Sequence, residues 1–341
     1  MMRKLFFGFS FFILSLISIY FAGIVILLPL SEATETSAAN VERASSAAGD
    51  ENSSSKNATV KTDKKEESAV AQTANPKTVK GKIYEKTFDM SAANLYYNNV
   101  HIKNTTSKTV DLKAELLKGP SLKINKSKKP QILIVHTHTT ECYMQEKRGY
   151  YVEGDKTRST NDNENIISVG EVLKSNLEKS GFSVVHAFEK HDYPEYTGSY
   201  NRAASTIKKY LAKYPDIKVV IDLHRDSITA NNGVKTAAVC EINGKKAAQV
   251  MLVVGCEDQS VVNFPNWKEN FKLAIKLQQS MEVMYPSLAR PILFTPRRYN
   301  LNLTQGSMLI ECGTEANTLS EAKYSAELVA KALAMVLNST V

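Results

Sequence analysis

Two short runs constrain this chain more than any other feature. Residues 131–135 read QILIV and residues 217–223 read IKVVIDL. Both are rich in β-branched residues, and neither alternates polar with apolar positions as a strand with one wet face would. They are strands buried on both sides, and a sheet buried on both sides needs a helix layer above and below it. The sequence between and after them supplies those layers. Residues 161–180 carry Ile166, Val169, Gly170, Leu173 and Leu177 on one helical stripe, with Gly181 as the stop. Residues 199–214 read as a helix ended by Pro215, residues 267–285 as a helix ended by Pro286, and residues 318–338 as a closing helix with Thr318 and Glu321 in capping-box spacing. Strands are expected over 182–188 and 307–310, and a hairpin over 236–242 and 248–255 around Asn243-Gly244. The expectation is an α/β domain over 129–341: a mostly parallel twisted sheet, helices on both faces, with its site at the carboxyl ends of the strands.

The chain before that domain is of another kind. Residues 5–30 contain no charge over 26 positions and follow Arg3 and Lys4. About 20 apolar residues cross a bilayer core as a helix, and flanking positive charge stays on the cytoplasmic side. Residues 1–30 therefore read as a cytoplasmic stub and single transmembrane anchor, which leaves the rest extracytoplasmic; Ser31-Glu32-Ala33 leaves processing open. Residues 31–82 have no aromatic, Leu or Ile, too little apolar surface to offset chain entropy, and read as a disordered linker. Residues 83–128, where Tyr84, Phe88, Tyr96 and Tyr97 return, read as a small arm or subdomain.

Charge and cysteine content narrow the function classes. The formal net charge of +8 suits an anionic polymer partner. The cluster Lys118, Lys123, Lys126, Lys128 and Lys129 has no interleaved aromatics, so it reads as a solvated linker face, and nucleic acid is not an expected partner. Four scattered cysteines without a CxxC exclude a disulfide scaffold and a cysteine-rich zinc module. Cys142 and Cys312 read as small buried residues.

Chemistry-bearing residues cluster at three strand ends. The first strand runs into His136-Thr137-His138-Thr139-Thr140-Glu141, and strand alternation puts His136 and His138 on one side. The second runs into His224-Arg225-Asp226 and the third into Glu311. Two histidines and a glutamate with an open position for water form a catalytic zinc set. The other reading of the same residues is hydrogen-bonded histidines with no metal. Asp222 or Asp226 is placed to orient an imidazole. The HRD triplet has none of the other kinase motifs beside it.

HTHTTECY (136–143), TNDNENIISVGEVL (160–173), HDYPEYTGSYNRA (191–203), KYPDIKVVIDLHRD (213–226) and LTQGSMLIECGTEANTLSEA (303–322) resemble the stage II sporulation protein P family. The resemblance implies a zinc-dependent N-acetylmuramoyl-L-alanine amidase, with endopeptidase cleavage of stem-peptide cross-links as a second activity. It implies action on peptidoglycan at the sporulation septum and during engulfment, beside a lytic transglycosylase, stage II sporulation protein D. Against the related amidase-3 enzymes, His138, His224 and Glu311 match by spacing. The glutamate ligand does not: Asn163-Glu164-Asn165 is one residue out of register, and His138-x-x-Glu141 instead resembles zinc carboxypeptidases. The expected site is zinc on His138, Glu141 and His224, with Glu164 the rival ligand and His136 behind them or substituting. Glu311 acts as general base and then acid. Arg225 meets a stem-peptide carboxylate. The rival from another class is a non-catalytic wall-binding scaffold.

Overall fold

The computed structural model describes residues 78–258 and 260–340. The anchor expected over 1–30 and residues 31–77 of the expected linker lie outside them. Among the described residues no helix is long and apolar enough to cross a membrane. The described elements belong to one compact unit. Its strands are β1 (Val79–Lys86), β2 (Leu95–Tyr97), β3 (Val100–Asn104), β4 (Ile132–Val135), β5 (Tyr150–Val152), β6 (Val184–His186), β7 (Val219–Asp226), β8 (Lys235–Ile242), β9 (Lys245–Ala248), β10 (Val250–Gly255), β11 (Ile292–Thr295) and β12 (Ser307–Thr314). Its helices are α1 (Leu112–Lys118), α2 (Ile166–Lys179), α3 (Ser199–Lys213), α4 (Trp267–Met284) and α5 (Leu319–Asn338).

Eight strands form the main sheet in the order β2-β3-β11-β10-β12-β7-β4-β6. The α/β class is as expected, but the sheet is mixed. The pairs β2–β3 and β10–β12 are antiparallel and the other five are parallel. A second sheet, β5-β1-β8-β9, had no counterpart in the sequence reading. The Asn243-Gly244 turn forms as expected, joining β8 to β9 with Ile242 opposite Lys245. The expected second arm does not run on to Gly255 in that hairpin. At Gln249 the chain leaves for the main sheet, and the buried Gln249 amide bonds Phe88 N–H and the Phe88 and Ser287 carbonyls. β1 starts at Val79, inside the stretch read as linker, because it finds partners in β5 and β8.

Strand alternation sorts the core into two faces. Ile132, Ile134, Val219, Ile221 and Leu223 pack with Ile166, Val169, Leu173 and Leu177 of α2 and with α5. Leu133, Val135 and Val220 point the other way and pack with Ile207 of α3. Helices therefore cover both faces, and every odd–even choice along β4 and β7 decides which helix a side chain meets. α2 opens at Asn165, whose side chain accepts from Ile167 N–H. α5 carries the expected capping box between Thr318 and Glu321.

Gly170, expected on the apolar stripe of α2, is there for a tighter reason. A Cβ at this position would lie 2.7 Å from His186 ring atoms and 2.9 Å from His136 Nε2. Alanine gains about 1 kcal/mol of helix propensity, whereas crowding a packed core costs about 1–3 kcal/mol. Crowding prevails, so Gly170→Ala lowers the melting temperature by a few degrees. Thermal denaturation followed by circular dichroism checks this; an unchanged or raised melting temperature would show that the histidine pair yields freely.

Candidate functional site

The site is built on the α3 face. Asp222 and His224 continue the Val220 side of β7, and β12 lies parallel to it with Glu311 directly opposite His224. Residues in register on neighbouring strands point to the same side of the sheet. Glu311 was expected just beyond a strand ending at Ile310. The strand runs on to Thr314 because β7 pairs with it on one edge and β10, through Met251, on the other.

His138 reaches this face by a turn. Residues 137–140 leave the extended conformation, so the alternation that would align His136 with His138 ends at His136. Asp222 fixes the turn by accepting from Thr137 N–H at 2.8 Å and from its hydroxyl at 2.7 Å. Asp192 does the same for Thr140, at 3.0 and 2.7 Å. His136 stays on the α2 face, with Nδ1 donating to Leu223 O at 2.8 Å and Nε2 2.7 Å from His186 Nε2. Glu171 lies 2.6 Å from the other His186 nitrogen. Burial pushes the His136 pKa down to about 3, so the ring is neutral.

On the α3 face the rings of His138 and His224 meet edge-on with centres 5.2 Å apart. Glu141 Oε2 is 3.6 Å from His224 Nδ1 and accepts from Arg225 N–H at 3.1 Å. Asp222 Oδ1 is 2.9 Å from His224 Nε2 but out of line for a hydrogen bond. Burial opposes charge on His224, but the Asp222 and Glu141 carboxylates override it and hold the imidazolium well above the ordinary histidine range. Burial pushes the Glu311 carboxyl up to about 8, and its Oε2 has no hydrogen-bond partner. Tyr196 stacks on His138 with ring centres 4.6 Å apart and places its hydroxyl 3.1 Å from His138 Nε2. Tyr200 of α3 stands edge-on to His138 and parallel to His224.

The structure thus brings together His138, Glu141, His224 and Glu311, and places the other candidates elsewhere. Glu164 accepts from Ser159 and Asn161 ahead of α2, with no contact to either site histidine. Arg225 is buried, and its Nε, Nη1 and Nη2 donate to the Cys142, Asp226 and Thr157 carbonyls. It is a strut between β7 and the 142–157 segment, with its Nε, Nη1 and Nη2 each engaged by a main-chain carbonyl. Asp226 pairs with Arg290 at 2.8 Å. All four cysteines are free and buried; burial raises the thiols of Cys142 and Cys312 to about 11 and 12, which removes thiolate chemistry. The tyrosines were missed, although Tyr193, Tyr196 and Tyr200 repeat at spacings of three and four around the start of a helix.

No three His, Cys, Asp or Glu side chains of the described residues converge as a ready metal array. The donor chemistry nevertheless fits a divalent cation. His224 has the Glu141 and Asp222 carboxylates at 3.6 and 2.9 Å and the His138 ring edge-on beside it, and His224 Nε2 and Glu311 Oε2 are buried without a hydrogen-bond partner.

A model of the stage II sporulation protein P family matches residues 20–334. Stage II sporulation protein P of Bacillus subtilis (strain 168) is 29% identical over 215 residues, 59% of this chain and 50% of that protein. The chain spans about half the length of the curated relative it matches. The solved structure of N-acetylmuramoyl-L-alanine amidase AmiC2 of Nostoc punctiforme aligns with 63% of this chain and 97% of its own, at 14% identity and a TM-score of 0.37. The CwlD amidase of Clostridioides difficile, solved in complex with the GerS lipoprotein, aligns with 62% and 98%, at 13% identity and a TM-score of 0.35.

The raised pKa of Glu311 makes a signed prediction about stability. Its folded value of about 8 exceeds the ordinary 4.5, so the folded state holds this proton more tightly than the unfolded chain. Its contribution is fully present below about pH 4.5 and is lost as pH rises toward about 8. Glu311→Gln removes the titration. In metal-free protein the melting temperature of the variant, relative to wild type, rises between about pH 5 and pH 8. A difference that stays flat with pH contradicts a buried, proton-holding carboxyl.

Proposed function

The chain belongs to the stage II sporulation protein P family, and from that premise we propose that it is a zinc-dependent peptidoglycan hydrolase of sporulation, cleaving the N-acetylmuramoyl-L-alanine amide bond, with stem-peptide cross-links as a second target. The observation that supports this reading is the register of β7 and β12, which sets the partnerless carboxyl of Glu311 opposite His224, whose ring in turn meets His138 edge-on.

His138, Glu141 and His224 would hold the zinc ion. Bound there, zinc supplies a polarised scissile carbonyl and a water acidic enough to lose a proton near neutral pH. Glu311 takes that proton and returns it to the leaving amine, the two halves of general acid–base catalysis by one carboxyl. It must be ionised to begin, and positive charge at the neighbouring histidines would bring its pKa down from about 8. Asp222 holds the 137–140 turn to β7 and so positions His138. Tyr196 and Tyr200 wall the site against water. In this reading the uncharged segment 5–30 anchors the chain in the cell membrane with its N-terminus in the cytoplasm. The domain then faces the wall at the sporulation septum and engulfing membrane, where a lytic transglycosylase of the stage II sporulation protein D kind would cut the glycan strands it exposes.

Two substitutions separate the glutamates. Glu311→Gln keeps near-stoichiometric zinc while digestion of peptidoglycan falls about 10²–10⁴-fold, the usual worth of a general base. Glu141→Gln loses zinc along with activity, as do His138→Ala and His224→Ala. Zinc analysis beside mass spectrometry of released muropeptides reads both effects. Metal loss in Glu311→Gln with retention in Glu141→Gln would exchange their roles; full retention in both histidine variants would remove the site assignment.

A further inference from the structure

With Arg225 committed to main-chain carbonyls, the site needs another cation if it reads an acidic substrate, and the structure offers one. Arg158 lies over the face of Tyr196, its Cζ 4.6 Å from the ring centre, and Tyr196 in turn lies over His138. Guanidinium, phenol and imidazole form three layers running from solvent to the site. Arg158 is 40% exposed along its side chain, whereas the Asp192 it pairs with is wholly buried. The pairing uses Nη1, which donates to Asp192 Oδ2 and approaches the Thr140 hydroxyl at 3.3 Å. Nε and Nη2 have no partner among the described residues. Those two N–H groups lie along one edge of the guanidinium, the edge that accepts a carboxylate side-on through two parallel hydrogen bonds.

The platform is held from below. His191 bonds His136 O at 2.7 Å through Nδ1 and the Thr206 hydroxyl at 2.8 Å through Nε2. Arg202 of α3 donates to His191 O at 2.6 Å and also to Glu195 O. The segment carrying Tyr196 is therefore tied to β4 and α3, and Asp192 ties Arg158 to the turn that carries His138. An arginine fixed at one nitrogen, stacked on its flat face and open along one edge loses little freedom when it takes an anion.

We propose that Arg158, seated on Tyr196, is the specificity-determining cation of this site and binds a free carboxylate of the stem peptide. The inference rests on the peptidoglycan-hydrolase reading for the identity of its ligand. Two contacts of 4.6 Å place Arg158 Cζ at most 9.2 Å from the His138 ring centre. An extended peptide advances about 3.3 Å per residue, so the carboxylate belongs within two or three residues of the scissile amide. A muropeptide with a free acid on its second stem residue is the preferred ligand, and the same peptide with that acid amidated is the poor one.

The test compares equilibrium binding of those two synthetic muramyl peptides, differing only in acid or amide at the second stem residue, to the full chain in detergent. Wild type binds the acid about tenfold or more tightly, the range of a charge-assisted hydrogen-bond pair. R158Q alone leaves Asp192 buried and unpaired and is at risk of misfolding, so the informative variant is R158Q/D192N, which removes both charges together. In that variant, with folding confirmed by its melting curve, the preference falls to within about twofold. Equal binding of acid and amide by wild type overturns the inference, as does a preference that survives in R158Q/D192N. Digestion of whole peptidoglycan by wild type is followed in parallel. Digestion without an acid preference sinks the Arg158 subsite and leaves the hydrolase standing; an acid preference without digestion does the reverse.

Discussion

The pairing of β7 with β12 is the constraint on which the rest of the site depends. A slip of one residue would turn Glu311 to the α2 and α5 side and bring an apolar neighbour opposite His224. Several contacts outside the ladder hold it against that slip. A Cβ at Gly306 would lie 2.5 Å from Lys218 O, so only glycine lets the chain enter β12 this close to β7. Ser307 N–H donates to Asn270 of α4, and at the far end Gly313, with φ +70°, marks the irregularity between Glu311 and Thr314. The register is fixed before His224 and Glu311 and the ladder is released just after them.

Legibility in the sequence followed the range of the signal. α3, α4 and α5 start and stop within a residue or two of where Pro215, Pro286 and the Thr318–Glu321 capping box placed them. These are local signals, and local signals survive without tertiary information. α2 starts later than expected because residues 161–165 form turns ending in the Asn165 cap. The second sheet was not legible, since β1 and β8 are joined only by pairing across some 150 residues. His138 and His224 were found from the ends of buried strands, but the face they share was not. That depends on the turn at 137–140, and the carboxylates that make the turn come from residues 222 and 192, far along the chain. The commitment of Arg225 to main-chain carbonyls and of Arg158 to Asp192 was hidden for the same reason. Nothing in a sequence says which arginine has its donors already occupied.

His136 and His138 show how little separates a closed core histidine from one in an unsatisfied polar cluster. They stand two residues apart. His136 has both ring nitrogens bonded, one to a strand carbonyl and one to His186, in a space that admits no Cβ at Gly170. A buried ring so completely satisfied is held neutral and has no lone pair left for chemistry. His138 and His224 are buried too, yet they sit among carboxylates and aromatic rings, with hydrogen-bonding capacity still open on His224 and on Glu311.

That contrast explains why the two faces of one sheet behave so differently. Burying a charge costs several kcal/mol unless it is paired, and a partly satisfied polar cluster is worse than an apolar one. The α2 face meets that rule with aliphatic side chains and one closed histidine pair. The α3 face breaks it, with Asp222, Glu141 and Glu311 around a single imidazolium. A surplus of buried carboxylate persists only where something positive completes it. The histidines at the centre suit a metal ion, and the partly exposed Arg158, paired with Asp192, lies close by across Tyr196. The electrostatic deficit of this face is what supports the proposed site, and the closed packing of the opposite face is what allows the domain to carry it.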